Sequence, residues 1–236
     1  MSNVKINCII SENNKTELNE ILIRNTKLID SKSLYSTCPV FNHKSNRTFV
    51  GISPFDLSFK IDRKNKLISV GDQNFINYEQ SRDIFESDSG LNFYPFNLDG
   101  PSPLFEISYP RLFFWTDIPN IWMEFNDHPM TSLNNNFVAV SGWFNLSNWK
   151  RNIALVVTMI DETKPITIKK GDPLFRLSFY PPNLDDGIIL KKELDQKKID
   201  EYILEYRNLD MSRDNWKSKL FSKTPIKKCP FKFLHK

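Results

Sequence analysis

Three histidines, three cysteines and one band of tryptophans, amides and an arginine are the residues of this 236-residue chain whose types could do chemistry. The histidines, His43, His128 and His235, stand at no metal-ligand spacing from a cysteine or carboxylate, so no metal site is expected. Asp127 and His128 are neighbours, and on a strand they would point to opposite faces. Cys38 and His43 invite a cysteine–histidine nucleophile. A cysteine followed by Pro39 at a strand entrance reads instead as structural, and no third residue is in view to orient the base. Cys8, Cys38 and Cys229 are far apart and odd in number, with no C-x-x-C pair. Free thiols in a reducing compartment are the expectation.

The band comprises Trp143, Asn145, Asn148, Trp149 and Arg151. An aromatic ring to stack on, amides to read polar edges and a guanidinium for an oxyanion would suit a nucleobase and its phosphate. The same residues also occur at the ordinary edge of a β core. The chain has no G-x-x-x-x-G-K-[ST] or G-x-G-x-x-G run, so neither a P-loop nor a dinucleotide fold is expected, and no cofactor is expected.

The elements that must position these residues are mostly strands. Val4–Ile10 alternates apolar and polar residues. Residues 11–34 read as a short helix or an irregular connection around Leu18 and Ile21–Ile23. Cys38–Phe41 and Thr48–Ile52 read as strands on either side of a turn-rich stretch, Asn42–Arg47. Phe55, Leu57, Phe59 and Ile61 recur at period two, and Lys64–Lys66 turns the chain into a hairpin partner, Leu67–Val70. Leu104–Tyr109, Leu112–Trp115 and Asn120–Phe125 read as short aromatic strands bounded by prolines. Phe137–Trp143 follows, then Ile153–Ile160, which reads as a central strand buried on both faces. Gly171-Asp172 reads as the hairpin turn between Ile166–Ile168 and Leu174–Tyr180. After Pro181-Pro182 the period changes. Ile199, Tyr202, Ile203, Tyr206, Leu209, Trp216 and Leu220 recur at three- and four-residue steps, one stripe of an amphipathic helix over 194–221.

With 40% hydrophobic and 25% charged residues the chain has material for a core and is far from a disordered composition. Its net charge of +4 is mild, and much of the excess lies beyond Lys217. Only Lys223–Lys228 with Phe231 and Phe233 approaches a basic stripe interleaved with aromatics, so no specific nucleic-acid partner is expected. No apolar run reaches the roughly 18 residues a membrane span needs, and Met1–Ile10 carries no long apolar core of a secretory signal. The reading is a protein not bound to a membrane.

Two resemblances bear on function. Trp122-Met123-Glu124, Val140–Asn145, Asn148–Arg151 and Ile168–Leu174 form an ordered series that resembles the second half of the β-clip nucleotidohydrolases, the dUTPase and dCTP-deaminase superfamily. In that family a Gly-x-x-Asp-x-x-Tyr-x-Gly motif precedes a strand, a Lys-Gly-Asp turn and a last strand. Gly142–Trp149 and Lys170–Asp172 occupy comparable places over about a quarter of the chain. The departures are chemical. Where the family has its aspartate this chain has Asn145, and an amide is no general base near neutral pH. The phosphate-binding Pro-Arg-Ser-Gly turn would fall at His128–Ser132 without its arginine or glycine, and the glycine-rich C-terminal arm is absent. Pyrophosphatase activity by that mechanism is not expected; Asp161 and Asp172 are the next candidate bases.

Over most of its length the chain also resembles accessory proteins of T4-like and marine tailed phages. Cys38-Pro39, Thr48-Phe49-Val50, Ser53–Asp56, Phe113-Phe114, Gly142–Asn145 with Trp149, and Lys170–Leu174 carry this likeness. It implies a phage accessory gene, acting in the cytoplasm of the infected bacterial host or in the virion, and brings no activity with it. The combined expectation is a mainly β fold, a β-clip-like or β-sandwich core over 1–193. A C-terminal amphipathic α-helix over 194–221 packs on it, and 222–236 is a basic tail. The expected function is a non-catalytic binding or structural protein, with a protein partner, a second copy of the chain or a small nucleotide-like ligand as what it binds. The alternative is a divergent nucleotide-processing enzyme on the same fold.

Overall fold

The computed structural model describes residues 3–10, 17–25, 38–71, 76–77, 93–96, 103–129, 134–147 and 152–210. The first strand, β1 (Asn3–Ile10), sends Val4, Ile6, Cys8 and Ile10 into the main core and leaves Ile9 on its other face. A single helical turn, α1 (Leu18–Ile21), leads into β2 (Leu22–Arg24).

Residues 38–41 do not form the expected strand. Pro39 begins a helix, α2 (Pro39–Ser45), because its missing N–H costs nothing in the first turn and its fixed φ suits a helix start. The helix leads into β3 (Thr48–Ile52), where Thr48 Oγ1 donates to the Lys44 carbonyl at 3.0 Å. Every residue of β3 is buried.

The period-two run forms β4 (Leu57–Asp62), which pairs antiparallel with β5 (Leu67–Val70) as the spacing predicts. Lys66 takes a positive φ of 54° in the turn, and Asp62 Oδ1 accepts the Asn65 N–H at 3.1 Å. Two short strands follow, β6 (Ile76–Asn77) and β7 (Phe93–Phe96).

The next strand, β8 (Leu104–Trp115), is continuous where two strands separated by Pro110 were expected. The proline falls in residues 108–111, which have no register partner in β12 (Asn152–Met159) opposite; the pairing jumps there from Ile153↔Leu112 to Leu155↔Ile107. A ladder interruption is where a strand tolerates proline. Between them come β9 (Trp122–Asp127), β10 (Phe137–Ala139) and β11 (Gly142–Asn145). The β12 strand is central as expected, but it alternates. Ile153, Leu155, Val157 and Met159 face the core, and the other face is half-covered rather than buried.

The chain closes with β13 (Ile166–Ile168), β14 (Pro173–Tyr180), β15 (Gly187–Lys192) and α3 (Gln196–Asp210). Gly171-Asp172 is not a hairpin turn, because the strands it joins belong to different sheets. Gly171 sits at a φ of 92°, which favours glycine, and Asp172 N donates to the Lys169 carbonyl at 2.9 Å. Gly171 N donates to Ser53 O, and Ser53 N to Asp172 O, at 2.8 and 2.9 Å. Ser53 lies where the chain crosses from β3 to β4, so the two inter-sheet crossings are bonded to each other.

The described strands make three sheets. The first runs β10-β12-β8-β1-β15, with β7 on the free half of β8, and its β1–β15 pair is parallel. The second runs β11-β9-β14-β3-β2, and the third β13-β4-β5-β6. All three contribute to one apolar cluster, which makes the protein mainly β and sandwich-like. Phe179 of β14 meets Phe49 of β3 and Phe114 of β8 edge-on, each at 5.8 Å between centroids, and so joins the first two sheets.

The C-terminal helix forms as expected and packs on the outer face of the first sheet. Ile199 and Tyr202 cover Ile9, Phe113 and Trp115, and Tyr202 Oη donates to the Phe114 carbonyl at 3.2 Å. Trp216 and Leu220, the later residues of the predicted stripe, lie outside the described residues. Among the described residues no helix is long and apolar enough to cross a membrane.

The two described thiols differ in reach. Cys8 is buried and Cys38 exposed, and burial pushes the Cys8 thiol well above the usual range. A thiolate is the species that attacks an alkylating reagent. With Cys229 replaced by serine, native protein should take up one label, at Cys38. The second should enter only as the chain unfolds, and mass spectrometry of labelled peptides gives the order.

Candidate binding site

The sequence-predicted residues meet on the outer face of the second sheet. Strand alternation puts Met123 and Phe125 of β9 into the core, and turns Trp122, Glu124 and Asn126 outward. On β14, Leu177 and Phe179 point in, so Ser178 and Tyr180 share the outer face. On β11, Phe144 packs against the core, so Trp143 and Asn145 also face outward.

Register then builds rows across the sheet. Trp143 stands opposite Glu124, Glu124 opposite Ser178, and Ser178 opposite Thr48, with the two hydroxyls 2.9 Å apart. In the next row Asn145 stands opposite Trp122, and Trp122 opposite Tyr180. The Trp143 indole reaches across β9. Its ring lies 6.1 Å from Trp122, stacked at 28°, and 4.9 Å from Tyr180 at 37°. Trp143 keeps 39% of its surface exposed, a high value for so large a ring within such a cluster.

The polar groups around these rings are fixed. Tyr180 Oη donates to Glu124 Oε2 at 2.5 Å. Burial, with that hydrogen bond second, pushes the phenol well up, so Tyr180 stays a neutral donor. The guanidinium of Arg47 lies 5.8 Å from the centre of the Tyr180 ring and is itself buried.

Asn145 shares the face of Trp143, but its Oδ1 accepts the Ser147 N–H at 3.0 Å, so it shapes the turn after β11. Asn148, Trp149 and Arg151 lie outside the described residues. The two reserve bases also serve turns. Asp172 Oδ2 accepts from Lys169 N and Asn135 Nδ2, both at 2.9 Å. Asp161 Oδ1 accepts from the Thr163 hydroxyl and N–H at 2.6 and 2.9 Å. Those bonds, with Lys164 beside it, hold the Asp161 carboxyl down at about 2. Among the described residues no group of three or more histidines, cysteines or acids could hold a metal ion.

Residue spacing alone did not single out Glu124, Tyr180 or Arg47. A partial signal existed in Trp122-x-Glu124, two residues on one strand face, and in Tyr180 standing just before Pro181-Pro182. Nothing local linked them, because the rows come from pairing between distant strands.

The fold and this face define a mainly β protein whose described strands make three sheets and which carries a ring cluster on the outer face of one of them. No family model matches the chain, and no curated protein matches it.

Proposed function

We propose that the chain is a non-catalytic binding protein whose working surface is the outer face of the second sheet, with a small nucleotide-like ligand as its occupant. The observation that carries this reading is the Trp122–Trp143–Tyr180 cluster, held by strand register with a half-open indole at its centre. A planar ring stacked on an indole gains about 1–3 kcal/mol and needs no particular base, while Glu124 offers a carboxylate acceptor at the edge. The resemblance to phage accessory proteins supports an origin in a tailed phage, and with it the infected host cytoplasm or the virion as the setting. The likeness to β-clip nucleotidohydrolases supports the choice of a nucleotide-like ligand over a protein partner or a second copy.

One feature favours the enzymatic alternative. Glu124 is a carboxylate beside the rings, where a divergent nucleotide-processing enzyme would need its base.

Both readings are decided with purified protein, nucleosides and nucleoside triphosphates. Nucleosides should quench tryptophan fluorescence saturably, and Trp143→Ala should weaken binding about tenfold or more, the loss of one stacking contact. Hydrolysis of dUTP and dCTP should not exceed the buffer control. Turnover that disappears in Glu124→Gln would make the protein an enzyme. Absence of nucleoside binding would withdraw this ligand.

A further inference from the structure

Stacking on Trp143 does not choose between bases, since every base has a π face. A choice needs a polar group at the rim of the rings. In the two rows that carry them, Thr48 and Ser178 are buried with their hydroxyls 2.9 Å apart, and Asn145 Oδ1 is taken up by the turn after β11. Glu124 is the one carboxylate among the described residues of these rows, and it is half-buried, so part of it meets solvent. It stands opposite Trp143 and two residues from Trp122 on the same face of β9.

Its place at the rim is fixed by a second strand. Glu124 Oε2 accepts from Tyr180 Oη at 2.5 Å, and the Tyr180 ring lies 4.9 Å from Trp143. The phenol keeps its proton, so it donates and holds the carboxylate beside the rings. Oε1 has no hydrogen-bond partner among the described residues, and none of their lysines or arginines forms an ion pair with Glu124. An ionised carboxylate can only accept, and both of its oxygens have lone pairs to offer. It is matched by a ligand edge with two N–H groups side by side, as it is by the fork of a guanidinium.

Of the common bases, guanine alone has such an edge in its N1–H and N2–H groups. Adenine and cytosine set an amino group beside a bare ring nitrogen, whose lone pair would face the carboxylate. The N3–H of uracil or thymine lies between two carbonyls. We propose that the ligand of this face is a guanine nucleoside or nucleotide, its base stacked on Trp143 and its N1–H and N2–H donated to Glu124. Tyr180 is the positioning residue that orients the carboxylate. This inference rests on the nucleotide-binding reading of the face and adds the choice of base. The edge that meets Glu124 lies on the six-membered ring and the sugar on the five-membered one, so the carboxylate is turned away from the phosphate.

The test is calorimetric titration of the full chain with the 5′-monophosphates of guanosine, inosine, adenosine, cytidine and uridine. The phosphate is common to all five, so differences report the base. Inosine is guanosine without the 2-amino group. The guanosine compound should bind tightest, the inosine one about fivefold more weakly and the other three about tenfold or more, the loss of charged hydrogen bonds. Glu124→Gln keeps the shape and an oxygen for the Tyr180 hydroxyl. It should weaken the guanosine compound about tenfold and leave the adenosine one within about twofold. Tyr180→Phe keeps the ring, and should cut the preference for guanosine over adenosine about two- to fivefold. A preference that Tyr180→Phe leaves whole overturns the positioning role. Five compounds that bind alike, or a guanosine preference that survives Glu124→Gln, would sink this inference and leave the ring-face reading standing. No binding by any of the five would withdraw that reading itself, and the choice of base with it.

Discussion

Replacing Phe179 by alanine is expected to cost about 3–5 kcal/mol, the range for removing a buried aromatic side chain from a packed core. Phe179 is fully buried. It stands edge-on to Phe49 within its own sheet and to Phe114 of the facing sheet. Its removal therefore opens a void between two sheets and cancels two favourable ring contacts at once. Neither neighbour can fill the space without leaving its own strand position. A loss of this size is a large part of the stability of an ordinary domain. Urea unfolding followed by tryptophan fluorescence measures it. A midpoint within error of wild type would show that Phe179 does not join the sheets.

Gly51→Ala should also be costly, although it adds one methyl group. Gly51 lies in the middle of β3, paired with Phe175 on one side and Leu22 on the other. The Phe175 ring lies across the glycine, and a methyl placed there would meet Phe175 Cε1 and Cε2 at 2.5 Å. That is far inside van der Waals contact, so the ring must leave its place. It is held there by Phe125, stacked at 4.9 Å and 28°, and by the core around both. Overpacking of this kind costs about 1–3 kcal/mol. The double variant Gly51→Ala with Phe175→Leu should recover part of the loss, because the shorter side chain vacates the space above residue 51. Unfolding free energies of the two single variants and the double variant form the cycle. A double variant no better than the sum of the single losses would place the strain elsewhere.

The contrast between these positions shows where a sequence is informative. Phe179 sits in Leu174–Tyr180, a run that reads as a strand from its composition. Gly51 sits in Thr48–Ile52, another such run. Neither run indicates that Phe175 shelters Gly51, because that contact is made by the pairing of β14 with β3 across more than a hundred residues. The errors have the same origin. Cys38-Pro39 reads as the entrance of a strand, but the suitability of Pro39 for the first turn of a helix prevails. Pro110 was read as a break, yet an interruption in the ladder with β12 accommodates it. Gly171-Asp172 reads as a hairpin turn, and it is a turn but not a hairpin. Its partners could not be read, because the sheets to which β13 and β14 belong are set by β4 on one side and by β3 and β9 on the other.

The same division holds at the candidate site. Trp143 and Asn145 were visible as a ring and an amide on one strand face, because alternation is local and follows from the pleat. Their neighbours Trp122, Glu124, Tyr180 and Arg47 come from a second strand, a third strand and the turn after a helix. By itself the sequence determined most of the strand segments, the apolar side of those that alternate and where an amphipathic helix follows the β region; these depend on periodicity and local backbone preference. Tertiary structure alone decided which strands lie side by side, that the helix covers Ile9 and Phe113, and that Arg47 is buried with a nitrogen to spare. Those outcomes depend on register and burial between residues far apart in the chain, and no local pattern encodes them.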